Sequence, residues 1–166
     1  MSERNYKLLK INKKVEYALM ALKFMASKEE GALTSAREVC DNFGAPFDTM
    51  AKVMQSLNNK EVLTSVKGIK GGYILQKPLK EITFQELSEI IEGKGKSGVC
   101  QTANKTCDLY SVCNIKGPVE KLNEHVNQFL KELTLEKLLF EDIEENKIEI
   151  YQSKMAQMPD MENSHE

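Results

Sequence analysis

Residues 61–75 read Glu61-Val-Leu-Thr-Ser-Val-Lys-Gly-Ile-Lys-Gly-Gly-Tyr-Ile-Leu75. Two short runs rich in β-branched and aromatic residues, Glu61–Val66 and Gly72–Leu75, flank the basic, glycine-rich turn Lys67-Gly-Ile-Lys-Gly71. That pattern predicts a β-hairpin. Upstream of it the period changes to that of helices. Val15, Ala18, Leu19, Leu22, Met25 and Ala26 recur at three- and four-residue steps and predict an amphipathic helix over Lys13–Ala26, ended by Gly31. Ser35-Ala-Arg-Glu38 has the spacing of a capping box and opens a short helix, broken at Gly44. Ala36, Val39, Cys40 and Phe43 face inward on it. After Gly44-Ala-Pro-Phe, Asp48 is the expected N-cap of a third helix. Its inner face is Met50, Val53, Met54 and Leu57; its outer face is Thr49, Lys52, Gln55, Ser56 and Asn59.

Three helices and then a hairpin, with the third helix polar outside, is the order of a winged helix-turn-helix. A helix-turn-helix offers its second helix to the major groove of DNA. Direct base readout then falls to Thr49, Lys52, Gln55 and Ser56, while Lys67 and Lys70 on the wing suit phosphate contacts. The charge distribution agrees. Residues 1–80 carry 14 Lys and Arg against 8 Asp and Glu, whereas residues 81–166 carry 9 against 17. The overall formal charge of −2 thus conceals a basic first half, the footprint expected for a polyanion.

Further on, Thr83-Phe-Gln-Glu86 is a second capping box, opening a helix with Leu87, Ile90 and Ile91 inward. Gly93–Gly98 reads as a flexible loop. Gly117-Pro118 then starts a long helix on which Val119, Leu122, Val126, Phe129 and Leu133 follow steps of 3, 4, 3 and 4. This short heptad seam suits a dimer helix, or else a helix packed only on its own domain. Thr134–Leu139 predicts a further short helix, and the chain from Glu141 is acidic, with a tail expected to be disordered. The expected organisation is a DNA-binding domain over 8–80, a cysteine loop and dimerisation helix over 81–140, and the tail over 141–166. The fold class expected is mainly α with a small β-hairpin wing.

With 166 residues the chain can bury a real core. No apolar run approaches the roughly 18 residues of a membrane span, and Met1-Ser-Glu-Arg-Asn-Tyr-Lys7 lacks the apolar region of a secretory signal. A cytoplasmic, reducing location with no membrane partner follows as the expectation, in which the four cysteines are better metal, redox or core residues than disulfides. Three of them lie at Cys100-x6-Cys107-x5-Cys113. Thiolates are preferred ligands of iron–sulfur clusters and of zinc, and the close Cys-x2–4-Cys knuckles usual for structural zinc are absent. Three free thiols in a loop is the other reading. Cys40 sits on an apolar helix face and reads as core. His125, on the long helix, reads as surface. No nucleotide-binding glycine fingerprint and no acid–base constellation appear, so an enzyme is not expected.

Together these motifs resemble the winged-helix regulators typified by the iron–sulfur regulator IscR and the nitric-oxide-sensing repressor NsrR, the Rrf-two family. The resemblance covers roughly residues 8–140. It rests on Glu16-Tyr-Ala-Leu in the first helix, on Val66-Lys-Gly-Ile-Lys-Gly-Gly-Tyr-Ile-Leu75 against the family wing Val-Arg-Gly-x-x-Gly-Gly-Tyr-x-Leu, on Phe84-x-x-Leu87-x-x-Ile90, and on the three-cysteine loop before a helix ending Phe129-Leu-x-x-Leu-Thr-Leu135. It implies a homodimer with crossing long helices, bound to a partly palindromic double-stranded DNA operator. It also implies a 2Fe–2S or 4Fe–4S cluster with Cys100, Cys107 and Cys113 as ligands. Two features depart from the pattern. The first cysteine gap has six residues where five is usual, and Lys116 stands where IscR-type members carry a histidine ligand. A protonated Lys has no lone pair to donate. NsrR-type members use a carboxylate from the partner's first helix, and Glu16 matches that position. The resemblance thus implies a transcription factor whose operator binding is controlled by a cluster that senses cluster status, nitric oxide or oxidants. The alternative is a cluster-free thiol-redox or zinc-containing regulator of the same fold.

Overall fold

The computed structural model describes residues 11–69, 71–93, 101–102, 105–106 and 108–141. Lys70, Cys100, Cys107, the 94–98 part of the expected loop and the chain from 142 onward lie outside the described residues.

The helix α1 (Lys13–Ala26) begins at Asn12, whose side chain accepts the Lys14 N–H, and it buries Val15, Ala18, Ala21, Leu22 and Met25. Helix α2 (Ala36–Phe43) starts where Ser35 accepts the Glu38 N–H at 3.1 Å. The capping box is only half formed, because the Glu38 carboxylate turns away to accept from Lys28 Nζ, which also donates to Thr34 Oγ1 at 2.9 Å. Val39 alone of α2 is fully buried, with Ala36 and Cys40 half-buried against the core. Phe43 corrects the expectation: it is 47% exposed. As the last residue before the Gly44 cap it lies on the rim, edge-on to Phe24 at 5.6 Å between ring centres.

Helix α3 (Phe47–Asn59) buries the predicted Met50, Val53, Met54 and Leu57. Its cap is Pro46 rather than Asp48. The Pro46 backbone is extended and its carbonyl already accepts the Thr49 and Met50 N–H groups, so Asp48 is inside the first turn. The hairpin follows as β1 (Leu63–Val66) and β2 (Gly72–Leu75), antiparallel, with Leu63 opposite Leu75 and Val66 opposite Gly72. The first strand starts two residues later than the sequence pattern suggests, since Glu61 is still turning the chain out of α3 with φ 59°.

Thr34 adds a single rung on the other side of β2, exchanging two 2.9 Å backbone hydrogen bonds with Tyr73. Glycine is required where the turn returns. A Cβ on Gly71 would stand 2.6 Å from the Val66 carbonyl oxygen, and one on Gly72 would stand 2.8 Å from that of Thr34. The glycines of the wing thus let the hairpin close on itself and on the Thr34 rung.

A short 3-10 turn over Leu79–Glu81 leads to α4 (Phe84–Glu92), whose capping box at Thr83 and Glu86 is complete. Phe84 and Leu87 are buried, with Ile90 and Ile91 half-buried. A small ladder pairs β3 (Gln101–Thr102) with β4 (Lys105–Thr106). Helix α5 (Lys116–Glu132) carries Pro118 in its first turn, where the missing N–H costs no helical bond. Helix α6 (Leu135–Phe140) is capped by Thr134. Main-chain bonds stitch the α5–α6 junction to the start of α4: Phe84 N–H donates to Leu133 O and Leu135 N–H to Ile82 O, both at 2.8 Å. One core therefore includes residues from α1 to α6 and centres on Leu22, Met50, Met54, Leu57, Leu87 and Leu135. Among the described residues no helix is long and apolar enough to cross a membrane.

Candidate nucleic-acid interface and cysteine segment

The polar face of α3 divides in two. Asp48, Lys52, Gln55 and Asn59 are exposed and follow one another by four, three and four residues, so they form the outermost row of the helix. Thr49 and Ser56 are half-buried on its flank. With Lys52 and Val53 they line a cleft against Lys14 of α1 and Ile91 of α4. The Ser56 hydroxyl donates to the Lys52 carbonyl at 3.0 Å. Of the four residues expected to read bases, Lys52 and Gln55 thus project fully outward.

Two charged residues of this surface, Lys14 and Arg37, were not singled out in the sequence, and a third, Asp48, was read there as a cap. Lys14 stands in the first turn of α1, facing the α3 flank. Arg37, exposed on α2, holds its guanidinium 5.1 Å from the Phe47 ring at the start of α3. Asp48 heads the outer row. The signal for Arg37 was present in the Ser35-Ala-Arg-Glu38 motif, where the one position free to point outward carries a cation. On the wing, Lys67 is exposed, and so is Ile69 at the turn.

The second predicted constellation is only partly described. Cys113 is half-buried just before α5. The β3–β4 ladder occupies sequence positions between Cys100 and Cys107. Among the described residues, no three His, Cys, Asp or Glu side chains are grouped to hold a metal. Lys116 places its ammonium 3.7 Å above the Tyr110 ring centre, and the Tyr110 hydroxyl reaches Glu120 at 3.3 Å. This ties the segment after the cysteines onto the first turns of α5, and the contact uses the charged form of Lys116.

Glu16 is half-buried in the first turn of α1 and accepts from Lys13, whose pKa is raised by that hydrogen bond and by the carboxylate's charge. Cys40 differs from a reactive thiol. Burial, and then the nearby Asp41, push its pKa up, with Arg37 acting weakly the other way. A thiol held protonated is a poor metal ligand.

Helix α5 has no fully buried residue. Leu130 and Leu133 pack on the core, while Leu122 at 61%, Val126 at 40% and Phe129 at 52% stay exposed. His125 is exposed beside them.

Comparison with known proteins places this architecture. The chain is similar to the solved structure of CymR (YrzC), the global cysteine regulator of B. subtilis, with TM-score 0.60 and 23% identity over 80% of this chain and 97% of that one. The oxidised form of Staphylococcus aureus CymR matches with the same TM-score, identity and coverage. T. potens IscR matches with TM-score 0.56 and 19% identity, over 92% of this chain and 93% of that one. At these identities the likeness concerns the fold. Residues 11–141 match the family described as Rrf2, iron-dependent transcriptional regulator. Matched over residues 11–141, this chain belongs to the Rrf2 family, whose members are DNA-binding transcriptional regulators and not enzymes.

Proposed function

We propose that this protein is a homodimeric regulator that binds a partly palindromic duplex under the control of an iron–sulfur cluster. Cys100, Cys107 and Cys113 would hold the cluster, with Glu16 of the partner subunit as the remaining donor. The observation that carries this reading is the half-buried Cys113, the last of three spaced cysteines, at the foot of a helix with an uncovered apolar seam. The donor set fits. Three thiolates suit iron with sulfide, Lys116 is engaged on Tyr110, and among the described residues the half-buried Glu16 carboxylate pairs with Lys13.

When bound, the cluster supplies a centre that exchanges electrons and reacts with nitric oxide or oxidants. The chain's own residues pass on its presence. Lys116, Tyr110 and Glu120 fasten the cysteine segment to α5. The Leu133 and Leu135 backbone bonds fasten the far end of α5 to Ile82 and Phe84, and α4 packs against α1 and α3. Two recognition helices must meet half-sites about 34–36 Å apart, so a small movement along this path changes operator binding.

A second reading keeps the fold and removes the cluster: a thiol-redox or zinc-containing regulator. The likeness to the cysteine regulator CymR, including its oxidised form, favours it. Anaerobic purification with an absorbance spectrum and iron and sulfide counts separates the two. The expected result is coloured protein containing both elements. Cys100→Ala, Cys107→Ala and Cys113→Ala should each bleach it, Glu16→Ala should make it lose colour faster in air, and Cys40→Ala should leave it unchanged. Stoichiometric zinc without sulfide, or metal-free protein whose DNA binding follows thiol oxidation, establishes the second reading.

A further inference from the structure

We infer that Asp48 is a base-specificity residue of this regulator, accepting a hydrogen bond from the exocyclic amino group of a cytosine in the major groove. The inference deepens the proposal that α3 enters that groove, and rests on it. Asp48 is free of the capping duty that its place in the sequence suggests. Pro46 is the N-cap, and no side chain caps this helix. Asp48 is exposed, and no hydrogen bond or ion pair engages it among the described residues. It heads the outward row that continues through Lys52, Gln55 and Asn59. In a helix-turn-helix the N-terminal residues of this helix meet the base edges.

The chemistry narrows the choice of base. An ionised carboxylate only accepts hydrogen bonds. In the major groove, guanine offers acceptors alone, thymine an acceptor and a methyl group, and cytosine a lone amino donor. Adenine has an amino donor too, but its neighbouring N7 acceptor repels a carboxylate, whereas an amide satisfies both atoms. Cytosine is therefore the base that Asp48 accepts, and phosphate is what it repels. Lys52, one turn along on the same row, has the opposite preference for the acceptor edge of guanine. The two together would discriminate among sequences more than either does alone, and the Asp48 carboxylate would weaken binding to arbitrary DNA by repelling phosphates.

The test is in vitro selection from a randomised duplex library. Full-length dimer, prepared anaerobically, is compared as wild type, Asp48→Asn and Asp48→Ala. Wild type should enrich a motif with a cytosine at one position of each half-site. Asp48→Asn should move that position toward adenine and leave the others. Asp48→Ala should flatten it, lowering discrimination there about 5- to 150-fold. Both variants should bind random duplex more tightly at low salt. A carboxylate serving only the helix dipole would lower the melting temperature and leave the motif intact, and that result overturns the inference. If Asp48→Ala folds poorly, the isosteric Asp48→Asn still decides the question. A wild-type motif unchanged in both variants removes Asp48 alone from the readout. Failure of wild type to enrich any motif removes the α3 reading with it.

Discussion

Glu61 shows how one residue can carry a local cost for the sake of a chain reversal. It sits at φ 59°, in left-handed conformation. Its N–H donates to Asn58 O at 3.1 Å, and the Val62 N–H reaches back to Leu57 O at 3.0 Å. That pair of bonds is a Schellman motif, sealed by the apolar contact expected between its two flanking positions, here the buried Val62 and Leu57. Glycine is the usual residue at this point because a Cβ is disfavoured there. Replacing Glu61 by Gly should therefore stabilise the fold by roughly 0.5–1 kcal/mol, the relieved strain exceeding the added chain entropy of glycine. Urea unfolding should show a higher midpoint at unchanged slope; a lower midpoint would mean that the carboxylate matters more than the backbone. Lys28 tells the complementary story, since its contacts with Thr34 and Glu38 join three separate segments in a single ammonium group.

Among the described residues, α5 leaves more large apolar side chains exposed than any other helix. Leu122 and Phe129 are seven residues apart, two turns along one face, and more than half exposed. Leu130 and Leu133, at the C-terminal end, are the residues that anchor the helix to its own core. An exposed heptad seam on a helix with one anchored end suits association with a second copy. Leu122→Glu and Phe129→Glu should accordingly convert a dimer to a monomer in sedimentation at micromolar protein, with the helical circular dichroism signal retained because neither residue supports the core. DNA affinity should fall by a factor of about 10²–10⁴ as bivalent engagement is lost. Dimers that persist in both variants would assign the seam to some other role.

At the scale of the whole molecule, a protein of net charge −2 must present its cations locally to bind DNA. Lys14, Arg37, Lys52 and Lys67 are distributed over α1, α2, α3 and the wing. Affinity for a duplex should fall steeply as salt rises, through counterion release. In the proposed dimer Lys67→Ala would remove one phosphate contact from each subunit, two in all, and should flatten the slope of log affinity against log salt by about 2 while weakening all sequences alike. Lys52→Ala and Gln55→Ala should instead alter which sequence is preferred, since base edges rather than phosphates carry that information. An unchanged salt slope in the Lys67 variant would place the wing away from the phosphates.

The periodic features were legible in the residues themselves. The apolar steps of α1, α3 and α4, the glycine-rich turn of the wing and the Thr83 capping box all depend on neighbours within four positions, and each formed where its pattern lies. What depends on distant partners could only be decided by the folded chain. Glu38 completes no capping box because Lys28, ten residues earlier, is brought against it. Phe43 is on the surface because the core closes over Val39 and leaves the end of α2 at its rim. Thr34 becomes a strand residue through Tyr73, nearly forty positions away. Asp48 is turned from a cap into an outward-facing acceptor by the direction in which Pro46 delivers the chain. Local pattern sets which face of an element is apolar, because burial must follow the helical or strand period. Which polar groups are left over to meet another molecule is set by the packing, because that is what uses up the rest.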